Sequence, residues 1–171
     1  DAACAPAYCE VVGNRYDAST VKNFLSGRIS HGFQHLRPSC RQVPTAYFVR
    51  ESGVGLAMDW RPDEKGRRYG VVGLGIGTLA AYGRQGDTFR FYEINPDVVD
   101  IAMTHFTFLE DTPAIWNIAR GDGRHSLEYE ARILEDLKRA AKTPEELQLV
   151  EEKGMYPPTE GVELDRKEVA N

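Results

Sequence analysis

The stretch RYGVVGLGIGTLAAYGRQGDTFRFYEIN, from Arg68 to Asn95, reads as a strand, a glycine turn, a helix and a second strand ending in an acid. Val71 and Val72 follow Tyr69 as a short apolar run, the pattern of a parallel strand buried on both faces. Gly73, Gly75 and Gly77 then come at alternate positions. Their missing Cβ atoms let a ligand approach the backbone and permit the positive φ of a sharp strand-to-helix turn. Thr78 to Tyr82 is expected to open the helix, Gly83 to Asp87 to form the return turn, and Phe89 to Ile94 to form the second strand. Glu93 lies twenty residues after Gly73. A nucleotide-binding βαβ unit places there the carboxylate that holds a pair of ribose hydroxyls.

The spacing is G-x-G-x-G, not the G-x-G-x-x-G of dinucleotide sites, which need a pyrophosphate cradle at a helix N-terminus. A nucleoside linked to an amino acid or a thioether needs no such cradle, so the turn points to adenosyl sulfonium or thioether ligands. The alternative for the glycines alone is a tight turn without a ligand. The acid at the end of the following strand favours the nucleoside reading.

Composition sets the outer limits. With 171 residues, 42% apolar and 27% charged, the chain has ordinary globular usage and enough length for one domain with a core. A net charge of -5 argues against a nucleic-acid surface, which needs a basic patch. No apolar run approaches membrane-spanning length. The three cysteines, Cys4, Cys9 and Cys40, cannot all pair within the chain. Cys4 and Cys9 have no histidine nearby at a ligand spacing, so no metal is expected, and a local disulfide or free thiols remain open. The compartment is likewise open, since Cys4 and Cys9 are compatible with an oxidising one.

Before the glycine turn, residues 1–20 read as a leader or a first irregular strand. VKNFLSGRISHGFQ, Val21 to Gln34, is broken by Gly27 and Gly32 and suits a β-hairpin better than a helix. His31, Gln34 and His35 cluster here, where a surface role is the ordinary one for a histidine beside glycines. Arg37 to Pro44 is a loop, Ala46 to Val49 a strand, and Ser52 to Trp60 a short helix ended by the turn Arg61-Pro62-Asp63.

After Glu93, Asn95 and Pro96 supply an N-cap and first helical position, and Val98, Val99, Ile101, Ala102 and Phe106 the buried face. Ile115 to Ala119 is a third short strand leading into Gly121-Asp122-Gly123-Arg124. An acid there can accept from an exocyclic amine such as that of adenine, or can make an Asx-type turn. Leu127, Ile133, Leu134 and Leu137 repeat at helical spacing among solvated charges. Thr143-Pro144-Glu145-Glu146 caps a second helix ending near Gly154, and Met155 to Asn171 reads as an extended arm or tail.

Taken together these segments resemble the spermidine synthase-like proteins, aminopropyltransferases with a methyltransferase-type Rossmann fold. The likeness is carried by LSGRISHGFQ (Leu25 to Gln34), PTAYF (Pro44 to Phe48), SGVGLAM (Ser52 to Met58), VVGLGIGTLAAYG (Val71 to Gly83), FYEINPDVV (Phe91 to Val99) and GDGR (Gly121 to Arg124). It implies an α/β fold with a partial parallel sheet, in three parts. Residues 1–60 would be an N-terminal β-unit and linker, 61–127 the Rossmann-like nucleoside-binding half, and 128–171 a helical extension and C-terminal arm. It also implies a site at Gly73, Gly75 and Gly77 beside the amino-acid or amine portion, Glu93 at the ribose, Asp122 with Gly123 at the adenine, and Gln34 and Tyr47 facing the ligand. The donor would be S-adenosylmethionine or its decarboxylated form, the product methylthioadenosine, and the compartment cytoplasmic.

The family closes its next strand on an aspartate-rich loop that deprotonates the attacking amine, whereas here Glu128 leads into charged helices. Candidates for the base in the matched region are His31, Tyr47 and Asp122. The missing strand also leaves Val71 and Val72 on an open sheet edge, to be covered by the C-terminal helices, a protein partner, another copy, or the rest of a longer chain. Three functions follow: aminopropyl-type transfer in polyamine chemistry, a catalytically silent scaffold subunit of a larger assembly, or an S-adenosylmethionine-dependent methyltransferase on the same site.

Overall fold

Residues 21–60, 66–153 and 164–167 are described by the computed structural model of the chain. The expected first strand in residues 1–20, the turn at Arg61-Pro62-Asp63 and most of the C-terminal arm lie outside the described residues.

The glycine-broken segment forms an antiparallel hairpin of β1 (Val21–Ser26) and β2 (Ile29–His35), with a register irregularity between Phe24 and Leu25. Gly32, at φ 137, pairs with Phe24, and a Cβ there would lie 3.0 Å from the Ile76 side chain. Its absence lets the hairpin sit directly on the glycine turn. The loop after β2 is tied to the body by side chains. Arg41 pairs with Asp111 at 2.7 Å, and Gln42 donates to Thr107 O and Asp111 Oδ2.

Ala46–Phe48 forms a 3-10 turn, not the expected strand. Thr45 Oγ1 donates to Phe33 O and Tyr82 Oη to Phe48 O, which folds the segment back on the hairpin and the body. Burial raises the Tyr82 phenol to about 12, so it stays a donor. The helix α1 (Gly53–Asp59) follows, capped by Ser52, whose Oγ accepts from Gly55 N.

The body is mixed α/β, with three parallel strands, β3 (Arg68–Val72), β4 (Thr88–Glu93) and β5 (Ile115–Arg120), in sheet order β3-β4-β5. This is compatible with part of a Rossmann-like fold. The expected helix after the glycine turn is a short 3-10 helix, Thr78–Tyr82. Between β4 and β5 run α2 (Pro96–His105), capped by Asn95 with Pro96 in its first turn, and α3 (Phe108–Asp111). A fourth strand, β6 (Leu164–Lys167), pairs antiparallel with β5. It falls within the segment read as an arm, where no strand was expected.

The two faces of the sheet differ. On one, Tyr69, Val71, Phe89, Phe91, Trp116 and Ile118 join Met58, Leu74, Val99 and Leu109 in the main core. The other is covered by α4 (Gly123–Ala140), which reaches only part of it. β3 therefore has one exposed face, with Val72 72% exposed, in place of the expected burial on both.

The contact of α4 with the sheet is polar. Arg90, 1% exposed in the middle of β4, donates to Glu130 from both Nε and Nη2 and to Asn117 Oδ1 from Nη1. Tyr92 Oη donates to the other Glu130 oxygen at 2.6 Å. Burial, and then that hydrogen bond, push the Tyr92 phenol well above its ordinary range. Ser126 and Glu130 are the buried residues of α4, whereas Leu127 and Leu137 of the expected apolar stripe are exposed. A buried arginine on the sheet selects the helix face that carries its carboxylate. α5 (Pro144–Lys153) opens with the expected capping box: Glu146 N donates to Thr143 Oγ1 and Glu146 Oε2 accepts from Thr143 N.

Cys40 is 5% exposed and disulfide-bonded, its partner lying outside the described residues. The reading of Cys4 and Cys9 as a local disulfide or free thiols lies outside the described residues.

Two tests follow from these contacts. Glu130→Ala strands the buried Arg90 guanidinium and is expected to cost about 3–5 kcal/mol in urea unfolding, against less than about 0.5 kcal/mol for the exposed Arg124→Ala. Non-reducing peptide mapping is expected to recover Cys40 in a cross-linked peptide and to leave one of Cys4 and Cys9 as a thiol. A free Cys40 thiol would contradict it.

Candidate functional site

At the carboxyl ends of β3 and β4 lies a cleft of about 890 Å³. One wall comes from the hairpin and the following turn, with Phe24 to Gly27, His31, Tyr47 and Phe48. The other comes from the body, with Val72 to Gly75, Glu93, Asn95, Asp97, Val98 and Ile101. The cleft exists because the hairpin rests on a second small core, Ile76, Phe106 and Phe108 with Phe24 and Ile101 against it, separate from the main one.

The three glycines differ in role. Gly73 and Gly75, at φ 90 and 56, line the cleft, and a Cβ at Gly73 would meet nothing within 4 Å. At Gly75 the nearest atom is the His31 carbonyl oxygen at 3.7 Å, an ordinary contact. Gly77, at φ 81, is not among the lining residues, and a Cβ there would press on Leu109 at 3.1 Å. The first two border the cleft. The third lets the turn pack on the body.

Glu93 is 8% exposed, and both of its carboxylate oxygens are engaged: Oε2 accepts from Leu74 N at 2.8 Å and Oε1 from Asn95 N at 2.9 Å. The acid at the strand end therefore holds the glycine turn and the start of α2, and each oxygen retains acceptor capacity toward the cleft. His31 lies with its ring 5.5 Å from that of Phe24, and Tyr47, 60% exposed, with its ring 4.3 Å from that of Phe48.

Gln34, Asp122 and Gly123 are not among the lining residues. Gln34 is 4% exposed and bridges the hairpin to α3: Oε1 accepts from Thr107 N, and Nε2 donates to Arg41 O and Thr107 Oγ1. Asp122 caps α4, with Oδ1 accepting from His125 N at 3.0 Å. That hydrogen bond leads the causes that lower its carboxyl below the usual aspartate range, making it a weaker proton acceptor. The turn reading of Asp122, as a helix cap, is thus the arrangement observed. Gly123 brings α4 onto the sheet, where a Cβ would lie 3.3 Å from both Tyr92 and Val72.

Asp97, which the sequence reading passed over, lines the cleft from the first turn of α2. The signal was available: Asp97, Val98 and Ile101 are spaced to share a side of a helix that directs Val99 and Ala102 into the core. Among the described residues no group of three or more His, Cys, Asp or Glu side chains could hold a metal ion, and no helix is long and apolar enough to cross a membrane. No family model, curated protein or solved structure matches the chain.

The glycines and Glu93 separate ligand effects from folding effects. Gly73→Ala and Gly77→Ala each incur about 1–2 kcal/mol for placing a Cβ at positive φ. Gly77→Ala is expected to be the more destabilising of the two in urea unfolding, because it also displaces Leu109. Glu93→Ala, which leaves two backbone donors without their acceptor, is expected to cost about 1–3 kcal/mol. Unchanged stability in Glu93→Ala would mean that the carboxylate does not hold the turn.

Proposed function

We propose that the chain binds an adenosyl sulfonium or thioether nucleoside in this cleft, as a spermidine synthase-like protein on a Rossmann-like unit of methyltransferase type. The observation that carries the proposal is a convergence. Gly73, Gly75 and Glu93, read in the sequence as parts of a nucleoside site, line one cleft with His31 of the hairpin and Tyr47 of the following turn, both named from the family resemblance. The open space beside Gly73 accepts a ligand against the backbone, and Glu93 has acceptor capacity for ribose hydroxyls. Two features weigh against a dinucleotide. The turn opens into a 3-10 helix of five residues, a poor source of the N-terminal dipole that holds a pyrophosphate, and the described lining includes no lysine or arginine.

Aminopropyl-type transfer at this site requires a neutral amine nitrogen to attack the carbon next to the sulfonium. The C–N bond forms as the C–S bond breaks, its electron pair goes to sulfur, and a base takes the amine proton. His31 and Tyr47 line the cleft, whereas Asp122 is committed to its helix. His31 is the base we favour, because an imidazole is the side chain that most often serves as general base. Without the family's acidic loop, binding is the function we assign and transfer is expected to be slow.

A second reading, a scaffold subunit, is favoured by the open edge. Among the described residues β3 ends the sheet, and its Arg68, Gly70 and Val72 are exposed. The buried Cys40 disulfide also favours an oxidising compartment over the cytoplasm.

Isothermal titration with methylthioadenosine and S-adenosylmethionine tests the nucleoside reading. Saturable binding is expected, and Gly73→Asn, which fills the space beside the turn, is expected to weaken it at least tenfold while circular dichroism stays unchanged. No binding by a folded, monodisperse chain would overturn the reading and favour the scaffold.

A further inference from the structure

We infer that Asp97 sets the charge preference of the cleft, pairing with a cationic group so that a sulfonium or ammonium ligand is taken in preference to a neutral or anionic one. The inference rests on the nucleoside reading and deepens it. The charged side chains among the described lining residues are Glu93 and Asp97, both acidic. Glu93 already accepts two backbone N–H groups, which offset its charge locally. Asp97 is engaged differently. Its backbone N donates to Asn95 Oδ1, while its carboxylate makes no hydrogen bond or ion pair among the described residues.

The neighbouring basic groups lie elsewhere. Arg120, the arginine nearest in contact to α2, pairs with Asp100 at 3.3 Å, and Lys22 donates to His105 O at the far end of the helix. The opposite wall carries the Phe24, Tyr47 and Phe48 rings, whose faces are electron-rich and also favour an organic cation. An unpaired carboxylate on one side and aromatic rings on the other make an environment that repels phosphate and carboxylate and attracts a positive centre of low hydration. The missing acidic loop would then be replaced, for binding, by a carboxylate from the first turn of α2.

The test uses the full chain and three probes that share adenosine and differ in charge: decarboxylated S-adenosylmethionine, methylthioadenosine and adenosine monophosphate. Affinity is expected to fall in that order. Asp97→Asn is expected to weaken the sulfonium about fivefold, the size of a partly screened charge pair, while leaving methylthioadenosine within twofold. Asp100→Asn, which removes the same charge from the same helix outside the cleft, is expected to change neither. Equal weakening of both ligands by Asp97→Asn, no weakening, or an equal effect of Asp100→Asn would overturn the inference. If none of the three probes binds the unaltered chain, the nucleoside reading fails. Putrescine then decides the role of Asp97 by itself, since weakening of its binding by Asp97→Asn sustains the role, and absent or unaffected binding ends it.

Discussion

The structure hangs on the two ends of β4, where acids take up the backbone donors of its neighbours. At the start of the strand Asp87, fully buried, accepts from Arg67 N and Arg84 N through its two carboxylate oxygens, and its own carbonyl accepts from Ile115 N. At the end, Glu93 accepts from Leu74 N and Asn95 N, and its carbonyl from Gly121 N. Chain leaving a parallel strand carries N–H groups that the ladder no longer satisfies, and each one buried without a partner costs about 1–3 kcal/mol. A carboxylate can serve two at once, so one side chain closes both the strand before and the segment after. The glycine turn over the cleft is thereby fixed by the same group that lines the cleft. Such a site is organised before anything binds, which lowers the ordering cost of binding.

A second constraint comes from Arg90. Placing a guanidinium at the middle of the central strand forces an acid onto whichever helix covers that face, and Glu130 satisfies it together with Tyr92 and Asn117. Hydrophobic replacement could serve stability as well. What the ion pair adds is position, since it fixes the rotation of α4 and directs Gly123 and Ser126 onto the sheet while Leu127 stays exposed. The helix then lies over β4, and β3 has an exposed face and, among the described residues, ends the sheet.

What the sequence disclosed follows the range of the interactions concerned. The hairpin, the glycine turn, the Asn95 cap, and the Thr143 to Glu146 box are set by residues within a few positions of one another, and each was legible. The face of α4 was not, because Glu130 is selected by a residue forty positions away and a carboxylate at a buried helical position looks like solvated charge. Val72 misled for the related reason that an apolar run records how a strand tolerates burial, while its actual cover depends on which other elements arrive. Ala46 to Phe48 has strand-like residues, but Thr45 and Tyr82 pull the backbone back on itself. The short β6 shows no alternating apolar pattern in its LDRK sequence, and its pairing is made by the backbone. Of the cleft, Gly73, Gly75 and Glu93 were legible through spacing, whereas Gly77 packs the turn on the body. Gln34 and Asp122 have equally suggestive neighbours, but their hydrogen bonds go to Thr107 and to the start of α4.

The cleft itself is a product of incomplete merging. Had the hairpin packed directly on the main core, Phe24 and Ile101 would have closed the space that they now border. Gly32 permits close contact at Ile76, and the Arg41 and Gln42 contacts to α3 anchor the following loop. The hairpin is therefore held to the body by contacts at Ile76, Thr107 and His105, with the cleft alongside the first of them. In such an arrangement the walls come from different parts of the chain, so ligand chemistry is decided by what each contributes: glycines and acids from the body, rings and an imidazole from the hairpin.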